Sequence, residues 1–234
     1  MTEAAWPETG APPPRRRAAS LTGLALALVV PAAATSFPVI ETPAAAGATR
    51  AILLNEAGTW ALTLAVLAIV RFWERRPLAS IGLGRPSWRA IRFGGSVVIG
   101  LIVLAALAGL AVESTGLAVP EQPEQLVLSL PVWLQVLVVA TAGFTEEVLF
   151  RGYAVERMTE LTGSRWIGAF LPVLVFGAVH APFWGLGHAL IAGMTGFWLT
   201  LLYLWRRDLW TNITAHALLD GVVFVVADIA MGGG

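Results

Sequence analysis

The chain has 234 residues, is 57% hydrophobic and only 13% charged, and sets fifteen Arg against fifteen acids for no net charge. Soluble domains carry about 25% charged and about 45–50% apolar residues, so this balance excludes a soluble enzyme, a disordered chain and a nucleic-acid binder. With no Cys, it also excludes disulfides, zinc-thiolate sites and cysteine nucleophiles.

A transmembrane helix needs about 20 largely apolar residues. Residues 1–17, which include three consecutive Pro, predict a disordered tail. Ala18 to Ile40 is uncharged and reads as a first span, interrupted by Pro31 and Pro38. Ala51 to Val70 holds one charge, Glu56, and Phe93 to Val112 holds none. Gln125 to Thr145 runs uncharged up to Glu146. Trp166 to Trp184 contains His180, and Ala189 to Trp205 is charge-free. Leu209 to Ala227 contains His216 and Asp220. The expectation is an all-α, multi-pass bundle of about seven spans in the cell membrane. Residues 18–234 would form one transmembrane domain.

Arginine placement orients such a bundle. Arg15–Arg17 precede the first span, and six Arg lie between Arg71 and Arg92. Arg151, Arg157 and Arg165 separate spans four and five, and Arg206 and Arg207 separate six and seven. The opposite loops hold Arg50 and the acids Glu113, Glu121 and Glu124. This alternation predicts a cytoplasmic N-terminus and an outer C-terminus. There is no internal repeat to suggest an inverted-repeat transporter. The loops are too short to build a core of their own, so the chemistry falls to side chains on the helices.

An ionisable group inside the membrane is a functional-site hypothesis by default. Six cluster in the last 90 residues: Glu146, Glu147, Arg151, His180, His216 and Asp220. Glu147 and Arg151 are i and i+4 with the acid first, the favourable order for an ion pair. Glu146 lies about 100° round the helix and lacks that partner. His216 and Asp220 are again i and i+4, suiting two metal ligands or a His oriented by a carboxylate. Plainer accounts exist for each: acids meeting water at a span end, a hydrogen-bonded core His, an interhelical polar clamp. Three independent clamps explain the conjunction poorly. Glu146 and His180 each lie 17 positions from Gly163, the centre of a turn, which predicts equal height on two antiparallel helices.

Other features carry less. There is no HExxH, GxSxG or Walker loop. Gly94-Gly95-Ser96 reads as helix packing and Asn212-Ile213-Thr214 as a chance glycosylation sequon. His188 reads as structural or incidental, in a short loop or opening span six. Glu56 and Asp228 read as span-end acids within reach of water.

The residues resemble the motif set of the CPBP family, the CAAX proteases and bacteriocin-processing enzymes, also called the Abi family. EExxxR reads Glu146-Glu147-Val-Leu-Phe-Arg151, FxxxH reads Phe176 to His180, and HxxxN or HxxxD reads His216 to Asp220. Ile81-Gly82-Leu83-Gly84-Arg85-Pro86 resembles a segment common before the core in bacterial members. The resemblance covers residues 78–230, with a catalytic core at about 125–230. It implies an intramembrane endopeptidase acting on a membrane-associated protein or peptide. Glu146 and His180 would activate a water. His216 and Asp220 would polarise the scissile carbonyl or bind a metal. Glu147 and Arg151 would be supporting residues. An ionised Asp220 has no proton to donate. That leaves it to orient His216, to ligate a metal, or to act as the neutral acid. Glu146, His180, His216 and Asp220 could hold Zn²⁺, or the reaction could need no cofactor. The alternatives are a non-catalytic scaffold or bacteriocin-immunity-type protein on the same fold, and a proton-coupled transporter.

Overall fold

The computed structural model describes residues 14–35, 45–226 and 229, and among these every regular element is helical. Seven helices can be distinguished. α1 covers residues 14–35 and α2 residues 45–73, each with one π-helical turn. α3 is Trp88–Ser114, α4 the short Gln122–Leu128, and α5 Val132–Thr162. α6 is Arg165–Arg206 and α7 Leu209–Val226. Five of them, α2, α3, α5, α6 and α7, are long and apolar enough to cross a membrane.

Local chemistry sets the boundaries. Ser87, Ser164 and Asp208 cap the N-termini of α3, α6 and α7, their side chains accepting from the N–H of Ala90, Ile167 and Trp210. Gly163 ends α5 in the left-handed conformation, at φ 69°. α6 is not one rod. Gly185 sits at φ 82°, ψ 165°, and the chain folds back there. Gly177 on the first leg packs directly on Gly193 and the Ala189 carbonyl of the second. Phe170 and Phe197 stack across the same hairpin at 5.9 Å. The legs, residues 165–184 and 186–206, correspond to the fifth and sixth predicted spans.

Three boundaries differ from expectation. α1 begins at Pro14, so Arg15–Arg17 form its first turn instead of belonging to a tail. Residues 1–13 and 36–44, including Pro38, and Ala227 and Asp228 lie outside the described residues. The fourth span does not start at Gln125. α4 stops at Leu128, and Pro131, at φ −55° and ψ 140°, starts α5 afresh. Glu146 is therefore in the middle of a 31-residue helix and not at its end.

α5 is the hub. From Glu147 to Val155 it is π-helical and every residue is buried. Gly143 brings its backbone against Ala217 of α7, where an added Cβ would stand 2.8 Å from the Ala217 Cβ. Gly94 sets α3 against the Thr211 carbonyl of α7 in the same way, which is the packing role expected of that Gly pair. Towards the Arg-rich end, Glu74 accepts from Tyr153 Oη at 2.8 Å and from Arg157 at 2.7–3.1 Å. Ser20 of α1 joins the same carboxylate at 3.3 Å, and Arg157 also bonds Ser80 at 3.0 Å. Beside it, Glu156 holds Arg207 at 2.6 Å and Tyr203 at 2.9 Å. These bonds fix where α5 stands, and so where Glu146 and Glu147 stand.

Candidate active site

Glu147 is fully buried and saturated. Its Oε1 accepts from Arg151 Nη1 at 2.9 Å, the predicted i,i+4 pair, and from His216 Nδ1 at 2.8 Å. Its Oε2 accepts from Asn212 Nδ2 at 3.1 Å. Because Nδ1 faces a carboxylate, it carries a proton, and the opposite ring edge, Nε2, is turned away from Glu147. Nε2 faces Asp220 Oδ2 at 3.4 Å and Glu146 Oε2 at 3.8 Å.

Glu146 contrasts with its neighbour. Its side chain is 26% exposed and it has no hydrogen-bond partner among the described residues. Asp220, 24% exposed, faces the same His216 Nε2. The 100° turn between consecutive helical residues sends Glu147 into the core and leaves Glu146 partly exposed beside α7.

His180 reaches the site from the first leg of α6. The register is the predicted one: Phe150 and Phe176, equally distant from Gly163, meet edge to face at 5.1 Å. His180 Nδ1 donates to the Phe176 carbonyl at 2.7 Å, since a carbonyl can only accept, and its Nε2 keeps a lone pair. Phe176 sits between His180 and His216, with ring centroids at 4.7 and 6.5 Å, and carries the Arg151 guanidinium over its face at 4.1 Å. The Phe of FxxxH is thus a spacer for two His and a lid on the Arg of EExxxR. No hydrogen bond or ion pair joins His180 to Glu146. His216 Nε2 brings Glu146 and Asp220 together, and His180 lies beside them across the Phe176 ring, within electrostatic reach of His216 and Asp220.

The optional metal set gains no support from this geometry. Among the described residues, no group of three or more His, Asp or Glu side chains is placed to hold a metal ion. Glu146, His180, His216 and Asp220 do not form a ligand set.

Three further residues belong to this neighbourhood. Asn212 is no glycosylation site: it is fully buried and, besides Glu147, bonds the Leu199 carbonyl at 2.8 Å. Its position four residues before His216, on one helix face, was the available signal. Glu56 is not at a wet span end. It is 9% exposed on α2, hydrogen-bonded by Asn55, with Thr141 and Glu146 of α5 as its near neighbours. His188 lies inside the second leg of α6, stacked on Trp184 at 4.6 Å and facing His180 at 6.2 Å across the Gly185 bend. No periodicity within one helix signals either placement.

Residues 128–222 match the family model described as Type II CAAX prenyl endopeptidase Rce1-like. The segment contains all three motifs, so the resemblance read from them holds over the part of the chain that carries the site. No curated protein and no solved structure matches the chain.

Proposed function

We propose that this chain, CAAX-protease-like over its site-bearing segment, is an intramembrane endopeptidase that hydrolyses a peptide bond of a membrane-associated protein or peptide. The observation that carries the reading is the unequal treatment of adjacent carboxylates. Glu147 is locked by Arg151, His216 and Asn212, whereas Glu146 accepts no hydrogen bond, meets only His216 Nε2 at 3.8 Å and is a quarter exposed. A carboxylate used only for folding in an apolar bundle would be satisfied like its neighbour.

In the proposed reaction Glu146 takes a proton from a water that also donates to the His180 Nε2 lone pair. The oxygen of that water bonds to the scissile carbonyl carbon. His216, held by Glu147, donates from Nε2 to the carbonyl oxygen as negative charge develops there. Glu146 then delivers its proton to the amide nitrogen as the C–N bond breaks, releasing an amine and a carboxyl product. Asp220 accepts from His216 Nε2 before substrate arrives, the orienting role among the three open to it. No step requires a metal. An apolar groove of roughly 360 Å³ between Val136, Val139 and Ala140 of α5 and Ala217, Gly221 and Val222 of α7 supports lateral access for an apolar substrate beside Asp220. The Arg-rich end, and with it the N-terminus, faces the cytoplasm in this reading.

The second reading, a non-catalytic scaffold or immunity-type protein, is favoured by one observation, the lack of a direct contact between Glu146 and His180. One experiment separates the two. Membrane proteomes of cells with the native chain and with Glu146→Ala are compared. A peptide fragment that disappears in the variant supports the protease. Identical fragment patterns together with an unchanged phenotype would favour the scaffold.

A further inference from the structure

The two ends of the bundle treat their charges oppositely. At the end that holds the 74–92 connection, every described acid turns inward. Glu74 pairs with Arg157, Glu156 with Arg207, Glu160 with Arg76 and Arg157, and Asp208 caps α7. The arginines left on the outside, among them Arg15–Arg17 and Arg75, Arg85, Arg89 and Arg92, are exposed, and among the described residues no carboxylate pairs with these seven. Between them stand Phe72 and Trp88, 73% and 70% exposed. At the other end the exposed charges are Glu113, Glu121 and Glu124 with Arg50.

We infer that this arginine collar binds the phosphate headgroups of anionic phospholipids and that the binding steadies the helix bearing His216. Exposed guanidiniums spread over several elements match many separate phosphates better than one soluble ligand, which would need a concave pocket. Aromatic side chains among them suit the boundary between headgroups and hydrocarbon. The link to the site is direct. The collar loop accepts the first free amide of α7, Leu209 N–H to the Gly82 carbonyl at 2.9 Å. It also accepts the Trp210 indole N–H on the Gly84 carbonyl at 2.8 Å. On its other side the Ile81 carbonyl packs against Gly152 of α5, where no Cβ would fit. Gly82 itself, at φ 75°, lies against the Tyr203 ring. Headgroups that hold Arg85 and Arg89 therefore hold the loop on which α7 starts. This proposal does not depend on the chain being a protease.

The test uses the full chain in phosphatidylcholine nanodiscs with and without phosphatidylglycerol, read by thermal unfolding and amide hydrogen exchange. Phosphatidylglycerol is expected to raise Tm by about 3–6 °C and to slow exchange at the Leu209 amide. The gain should shrink as salt is raised. Arg85→Gln/Arg89→Gln/Arg92→Gln should match the native chain in phosphatidylcholine, because these side chains have no partner among the described residues, and should lose most of the gain. Lys at the three positions should keep most of it. Glycerol phosphate added to phosphatidylcholine discs should do nothing. If it reproduces the gain, the collar is a soluble-phosphate site and the lipid assignment is wrong. Equal Tm in the two lipids, or a triple Gln variant with the whole gain, overturns the proposal.

Discussion

α5 carries two buried polar clusters less than three turns apart, and they are built on different terms. In the one around Arg157, Glu74 receives Tyr153, Ser20 and a guanidinium, and the side chains of Glu74 and Arg157 are at most 2% exposed. In the one around His216, Glu147 is equally saturated, yet Glu146 and Asp220 keep about a quarter of their side-chain surface open and His180 keeps a free nitrogen. Burial of polar groups in a bilayer is costly in both places. Only the second leaves carboxylates partly exposed and without a hydrogen-bond donor of their own beside His216. The comparison teaches that burial alone does not mark a functional site; incomplete satisfaction beside a locked group does.

The comparison breaks first at Glu146. Glu146→Gln should lower cleavage by about 10³-fold or more, the scale of a lost general base, while thermal unfolding in detergent stays at the native temperature. A variant that unfolds, or that keeps cleaving, would place Glu146 with the structural cluster. Glu147→Gln should lose both stability and activity, since the amide disturbs Arg151 and the orientation of His216 together.

Arg157→Leu tests the other cluster. It leaves Glu74 buried without its cation, and the cost is about 3–5 kcal/mol. Glu74→Leu/Arg157→Leu should recover a large part of that, because two apolar groups need no partner. Recovery is read as Tm in detergent. A double variant no better than the single one would mean that the pair does more than neutralise itself.

Asn212→Ala sharpens the boundary between the clusters. Removing the donor to Glu147 Oε2 should cost about 1–3 kcal/mol and reduce cleavage through His216, seen as a fall in kcat with KM unchanged. Asp220→Asn should have the smallest effect, with activity within about tenfold of native, because the amide oxygen can still accept from His216. A membrane-permeant chelator should leave turnover intact. Chelator-sensitive activity restored by Zn²⁺ and lost in Asp220→Asn would replace the metal-free mechanism.

Much of this was legible in sequence because it is local. Apolar runs fixed the membrane class, and the i,i+4 spacing of Glu147 and Arg151 foretold their bond. Counting from Gly163 foretold the register of α5 against the first leg of α6. The break at Pro131 was equally local and was passed over, since Gln125–Thr145 reads as continuous by hydropathy. What could not be read depends on rotation of one helix against another. Glu56 and Glu146 are ninety residues apart. They become neighbours only because Trp60 bonds Thr141 at 3.0 Å and seats α2 on α5. Glu74 and Arg157, 83 residues apart, are as remote in sequence and as intimate in space.

By itself the sequence determined that the chain is an all-helical membrane protein and which few side chains inside it can do chemistry. Hydrophobicity and helical spacing are properties of consecutive residues, and they survive without any partner. The tertiary structure alone decided which of those side chains are locked and which are open. Gly143 against Ala217, Phe176 between the two His, and Asn212 on Glu147 set distances of a few ångströms across helices, and such distances follow from close packing and not from the order of residues in one helix.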